Sequence, residues 1–239
     1  MINETDPRSF DPSADRLNKF VELARGRRSV RGFRNDPVPD DVLDGVLEAA
    51  NWAPSGANAQ PWEFIVVRDE ERQEALAEIF KKETAYKRTV DPEFPAGGNS
   101  GEFIDTPVTV VIAGDTRYER WWPEILDGSR EKLFHHSMAA CIQTLHLAAA
   151  AAGLGTTWVT VRGPSVQRVR ELLDVPPYLR IGSVAPLGYP DWDRNPLERS
   201  RVPLAHKRHE ETVDEDDLPA TEEIIAGKDG WIDRVYGTD

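Results

Sequence analysis

The chain has 239 residues, of which 39% are hydrophobic, and carries a formal net charge of −13. That length and apolar content suffice for a substantial core in one large domain or two small ones. The acidity argues against nonspecific binding to nucleic acid or anionic membrane. Cys141 is the only cysteine, which excludes an intramolecular disulfide and argues against a zinc cluster, so a cytoplasmic location is expected.

The amino-terminal stretch MINETDPRSFDPSADR is polar and acidic and has no apolar signal segment. Residues 1–14 read as a flexible arm. Asp15 to Arg25 is predicted helical, with Leu17, Phe20, Val21 and Ala24 on one face. Asp40 is predicted to cap a second helix, whose apolar stripe is Val42, Leu43, Val46, Leu47 and Ala50. Phe64 to Val67 is a short β-branched run suited to a buried strand. A polar helix from Asp69 to about Tyr86 follows, then a glycine- and proline-rich loop over 88–101.

Val108 to Ala113 is a second strand. Ser129 opens a long helix to Ala152 that Gly153 stops. Its apolar run from Met138 to Leu154 is interrupted by Gln143, Thr144 and His146, and is short of the roughly 20 residues of a membrane span. Thr156 to Val161 reads as a strand, Ser165 to Leu173 as a helix, and Ile181 to Leu187 as the last strand. Glu210 to Asp217 is six-eighths acidic and reads as solvated. With no repeat and no linker, residues 1–239 are expected to form one domain, 205–239 being an acidic carboxy-terminal extension. About four strands among five or more helices, without strict alternation, favour α+β over α/β.

Two segments carry the chemistry. Arg27-Arg28-Ser29-Val30-Arg31 gathers three guanidinium groups and a hydroxyl. Arginine forks match phosphate oxygens, although a solvated basic turn is the plainer reading. Arg199-Ser200-Arg201 is a second basic patch, and the sequence leaves open whether the two meet. Ala53 to Trp62 is turn-prone and rich in small residues. Asn58 and Gln60 offer amide groups suited to a heteroaromatic edge, and Trp62 is either a core anchor or part of the site.

RRSVRGF, APSGANAQPWEF, GLGTTWVT and the closing R-x-R-V-P-L resemble the flavin-dependent nitroreductase family, in order and across residues 27–204. The resemblance implies an α+β fold with a mostly antiparallel central sheet flanked by helices. It implies an intertwined homodimer with one FMN at each of two sites across the interface. It also implies hydride transfer from NAD(P)H through FMN to a nitroaromatic, quinone or similar small aromatic acceptor by a ping-pong mechanism. On this resemblance Arg27, Arg28 and Ser29 face phosphate and ribityl, and Arg31 reaches the pyrimidine edge. Ser55, Gly56, Ala57 and Asn58 match the segment approaching from the partner subunit, and Pro54 and Gln60 beside them are also expected to bind the cofactor. Trp158, Val159 and Thr160 lie beside the ring, and Arg199 and Arg201 are the late phosphate pair. Chemistry centred on the flavin needs no protein nucleophile and no metal, so no catalytic residue is assigned.

RRSVR and APSGA also read almost alike in the iodotyrosine deiodinase branch. There an acidic residue, a tyrosine four residues later and a lysine clamp the amino-acid part of the substrate. Here Glu83 precedes Tyr86 by three positions, Lys82 takes the position four before it, and the clamp lysine falls near Gly101. Reductive dehalogenation is therefore the second reading, and a non-catalytic flavin-binding protein the third. A branch that consumes its flavin to make a benzimidazole has less motif support. Gly153-Leu154-Gly155 follows a helix and lacks a third glycine, so it is no dinucleotide loop. His135, His136 and His146 are read as helix-face residues and Cys141 as a small buried apolar group. Trp121-Trp122 is either core or an aromatic lid.

Overall fold

The computed structural model describes residues 14–90, 106–122, 129–195 and 201–224. Of the predicted 1–14 arm, residues 1–13 lie outside the described residues, as do most of the 88–101 loop, Gly101 and Arg199, whereas Ala14 is helical. Helix α1 spans Ala14–Gly26, α2 Asp40–Asn51, α3 Glu70–Val90, α4 Ser129–Ala151 and α5 Pro164–Leu172. Strands β1 (Trp62–Val67), β2 (Val108–Asp115), β3 (Gly155–Thr156) and β4 (Leu179–Gly188) form one sheet in the order β1-β2-β4-β3. Every neighbouring pair is antiparallel. The fold is α+β, as the sequence predicts.

Strand β2 is central and buried along its whole length. Successive side chains alternate between the two faces of a strand. Val108, Val110 and Ile112 therefore join Leu43, Val46, Phe134 and Leu145 on the face covered by α2 and α4. Val111 joins Leu76, Phe80 and Val169 on the face covered by α3 and α5. Thr109 points the same way as Val111, and its hydroxyl donates to Gln73 Oε1 of α3 at 2.7 Å. Helix α4 buries Phe134, Ser137, Met138, Cys141, Ile142, Leu145, His146 and Ala149, a spacing of three and four residues that keeps one face inward. Its end is a Schellman turn: Leu154 N–H donates to Ala149 O at 2.8 Å and Gly153 N–H to Ala150 O at 3.1 Å. Gly153 sits at φ +74°, the left-handed conformation such a turn requires. Among the described residues no helix is long and apolar enough to cross a membrane.

Four expectations need correction. Asp40 is the first residue of α2, not its cap; Pro39 holds the cap position without a side-chain bond. Asp40 instead accepts from Arg68 at 2.9 Å. The polar helix α3 runs to Val90, beyond the predicted end near Tyr86. The predicted strand Thr156–Val161 pairs only at Gly155–Thr156 and at one bridge, Val159 to Val184. The stripe on α1 is uncovered in the single chain: no residue of α1 is buried, and Leu17 and Phe20 are 63% and 53% exposed.

Where β2 meets β4 the register shifts between Ile112 and Ala113, so Gly182 is left unpaired. One step on, Gly114 lies under α4, and a Cβ there would come within 2.4 Å of Phe134 and 2.8 Å of Met138 Sδ. Gly114→Ala is expected to destabilise the fold by about 1–3 kcal/mol through overpacking, read as a lower urea midpoint at unchanged slope.

Candidate functional site

The basic run follows directly on α1. Arg28 Nη1 turns back to the carbonyls of Gly26 and Arg27, both at 3.2 Å. The backbone then runs extended beside β3: Val30 N–H donates to Thr156 O at 3.0 Å, and Ser29 bridges Thr156 in parallel. Val30 is 1% exposed and packs on Gly155, where a Cβ would meet it at 2.7 Å. Only glycine lets the two backbones approach this closely. With Val30 buried, its neighbours Ser29 and Arg31 stay half-buried.

Asn195 fastens the next step, and sequence reasoning missed it. Its Oδ1 accepts from Arg31 N–H at 2.8 Å and Gly32 N–H at 3.3 Å, while Nδ2 donates to Gly32 O at 2.8 Å and Asp191 O at 2.6 Å. Arg34 N–H donates to Tyr189 O at 2.9 Å and completes the clamp. An asparagine after a short aspartate-rich turn carries no motif, so only the fold reveals its role.

Arg28 and Arg201 line one open cleft of about 460 Å³, with Phe20, Val21, Ala24 and Arg25 of α1. One arginine of each basic patch, distant in sequence, therefore borders the same cleft. A second cavity of about 250 Å³ is lined by Arg27, Arg28, Val30, His146, Thr156 and Trp192, among others. Trp158 and Thr160 are exposed while Val159 between them is buried and pairs with Val184. The two outward side chains thus share one face of an extended segment.

His146 is on a helix face, but the inward one: it is 3% exposed, and among the described residues neither ring nitrogen has a hydrogen-bond partner. Its ring stacks on Trp158 at 5.8 Å with 27° between planes. Burial and the neighbouring Arg27 charge push its pKa down to about 4. Cys141 is buried as expected, and burial pushes its thiol up to about 12, which makes it inert. His135 and His136 are exposed, His135 beside Glu131 at 3.4 Å. Among the described residues no cluster suits a metal ion.

The Pro54–Gln60 segment lies elsewhere. Gly56 to Asn58 form a short 3₁₀ turn with φ of 50°, 54° and 47° at Ala57, Asn58 and Gln60. Strain in non-glycine residues of this kind concentrates at functional sites. Ser55 Oγ accepts from Gln60 N–H at 3.0 Å, and Gly56 N–H donates to Ser137 Oγ of α4 at 3.1 Å. Pro54, Ala57, Asn58 and Gln60 are exposed. Trp62 is core, 5% exposed and bonded through Nε1 to Asn51 at 2.9 Å. The Trp121-Trp122 pair divides: Trp122 is buried beneath Gly56, and Trp121 is 61% exposed, edge-on to Tyr118. Ser137 and His146 are about 14 Å apart along α4 at 1.5 Å per residue. Within one chain the structure therefore does not bring the turn and the arginine cluster together.

A family model for the nitroreductase family matches residues 24–189. The chain belongs to the nitroreductase family. This nitroreductase-family chain is 31% identical over 188 residues to iodotyrosine deiodinase 1 of Rattus norvegicus, covering 73% of the chain and 63% of that relative. It thus spans less than two thirds of the rat protein's length. It is 29% identical over 175 residues to a protein of Methanothermobacter thermautotrophicus assigned as an NADH dehydrogenase/NAD(P)H nitroreductase, covering 71% of the chain and 76% of the relative. It is similar to a solved structure from Desulfovibrio desulfuricans, assigned as a nitroreductase and complexed with FMN, at 27% identity and a TM-score of 0.59. That match covers 82% of this chain and 98% of the other.

Two predictions follow from these contacts. Asn195→Ala should cost about 1–3 kcal/mol by leaving buried backbone groups unpaired, seen as a lower thermal midpoint. His146 has a folded pKa below its unfolded value, so the stability it contributes is complete above about pH 6.5 and lost as pH falls toward about 4. At 1.36 kcal/mol per unit the loss approaches about 3 kcal/mol. Denaturation curves at pH 7 and pH 4.5 should therefore converge in His146→Leu relative to the unaltered protein.

Proposed function

We propose that the protein is an NAD(P)H-dependent FMN oxidoreductase that reduces nitroaromatic, quinone or similar small aromatic acceptors and works as a homodimer. The observation that carries this reading is the shared cleft of Arg28 and Arg201. Two arginines from distant parts of an acidic chain on one cleft suit a phosphate. Bound FMN would supply the two-electron redox chemistry, accepting hydride from NAD(P)H and passing it to the acceptor in a ping-pong cycle.

The chain's own groups bind and bias. Arg27, Arg28, Ser29, Arg199 and Arg201 hold the phosphate and ribityl end. Arg31, whose backbone Asn195 fixes, lends positive charge to the pyrimidine edge, where negative charge accumulates on reduction. Trp158, Val159 and Thr160 form the wall beside the ring. Pro54, Ser55, Gly56, Ala57, Asn58 and Gln60 close the partner's site, consistent with the exposure of Pro54, Ala57, Asn58 and Gln60 and with the turn's distance from the arginines of its own chain. The open apolar face of α1, with Leu17 and Phe20, supports the dimer.

Reductive dehalogenation is the second reading, favoured by the 31% identity to iodotyrosine deiodinase 1. Against it, Glu83 is largely buried and paired with Lys87, while Tyr86 one turn on is 67% exposed. The pair is not presented as a joint clamp.

Anaerobic NAD(P)H should bleach the bound flavin, and nitroaromatics or quinones should reoxidise it faster than halophenols. Faster turnover of halophenols would select the second reading, and a flavin that stays oxidised would indicate a binding protein without turnover. Arg28→Ala and Arg201→Ala should each weaken FMN retention by about tenfold or more, since charge-assisted bonds are lost. Unchanged affinity in both variants would refute the shared phosphate site. Sedimentation should give about twice the 26.8 kDa chain mass.

A further inference from the structure

His146 stands on the inward face of α4, between Ile142, Leu145 and Ala149. A leucine would suit that environment, yet the position holds an imidazole. Thr156 is in the same condition: it is 1% exposed, its carbonyl is occupied by Val30 N–H, and among the described residues its Oγ1 has no partner. Buried polar atoms are nearly always paired, so two on one wall call for an explanation. Both residues line the 250 Å³ cavity that Arg27 and Arg28 also line.

The cavity is too small for a whole flavin, since pockets for such ligands run from roughly 300 to 1,000 Å³. It is ample for a short chain bearing hydroxyl groups and a phosphate. The Trp158 indole stacked on His146 limits rotation of the imidazole. Trp158 also belongs to the segment assigned to the ring, so the stacking places His146 next to that segment.

We propose that His146 and Thr156 hydrogen-bond the ribityl-phosphate arm of the flavin, forming an uncharged floor to the arginine-lined cavity. The proposal rests on the flavin reading above. The division of labour is chemical. Arg27 and Arg28 supply charge to a phosphate but cannot accept a hydrogen bond. A neutral imidazole offers one donor and one acceptor, and a threonine hydroxyl does both. Such a pair matches sugar-alcohol hydroxyls, which themselves donate and accept. The depressed basicity of His146 keeps it in this neutral form near pH 7.

The test is flavin titration of the purified full-length apoprotein with FMN, riboflavin and inorganic phosphate. His146→Leu and Thr156→Val should each raise the FMN dissociation constant about tenfold, the effect of one buried hydrogen bond. His146→Gln, which keeps a donor and an acceptor, should stay within about threefold of the unaltered protein. The apoprotein thermal midpoint of His146→Leu should not fall at pH 7, because an unpaired polar group has been replaced by an apolar one. An equal penalty for FMN and riboflavin assigns the contact to ribityl hydroxyls. A penalty for FMN and inorganic phosphate alone assigns it to the phosphate. Unchanged FMN affinity in folded His146→Leu and Thr156→Val overturns the proposal and leaves the flavin reading intact. Failure of the unaltered protein to bind FMN overturns that reading itself. Should His146→Leu not fold, Thr156→Val decides alone.

Discussion

The structure turns on how the backbone from Ser29 to Arg34 is held. Val30 is pinned to Thr156, Gly32 and Arg31 to Asn195, and Arg34 to Tyr189. These bonds tie the link between α1 and α2 to the end of the sheet. They also fix the directions of its side chains. Val30 points into the core against Gly155, and Ser29 and Arg31 remain accessible. A basic run in a free loop would lose conformational entropy each time it bound an anion. Here folding has already imposed that order, which is the physical content of a preorganised site.

The sheet explains why the clamp is rigid. Strand β2 is buried end to end between two helical layers, and β4 beside it carries the bridge to Val159. The Trp158–Thr160 segment therefore inherits its position from the core. Helix α4 carries both contacts: Ser137 fastens the Gly56 turn, and His146, two and a half turns later, lines the arginine cavity. In the proposed dimer this one helix would hold both fragments of the site, which a single chain keeps apart.

Much of this was legible in the sequence, and the exceptions have physical causes. The apolar stripe of α2, the Ser129 and Gly153 bounds of α4 and the apolar, β-branched runs of β1, β2 and β4 are local signals, and their elements appear within a few residues of prediction. The stretch Thr156 to Val161 has strand composition, yet only part of it finds a partner, because pairing is decided by distant residues of β4. The stripe on α1 is periodic in the same way as that on α2, but nothing in its own chain covers it. Local pattern reports that a face is apolar, not what lies against it. His146 lies on a helix face as its position in the predicted helix implies, but no sequence pattern could place its ring on Trp158 or beside the Arg27 charge. Asn195 lay outside every motif, and its four backbone bonds exist only once the chain has folded.

The central claim is that each site joins the arginine clamp of one chain to the Ser55–Asn58 turn of another. Hybrid dimers test it most directly. One chain carries Arg28→Ala with Arg201→Ala, and the other carries Ala57→Trp, a bulky change on the exposed turn. Each homodimer should bind FMN poorly. Refolded together, the mixed dimers should regain one FMN site per dimer, because one clamp and one turn remain intact and face each other. Absence of any regained site, in mixtures that form mixed dimers, would place clamp and turn in the same chain and contradict the account.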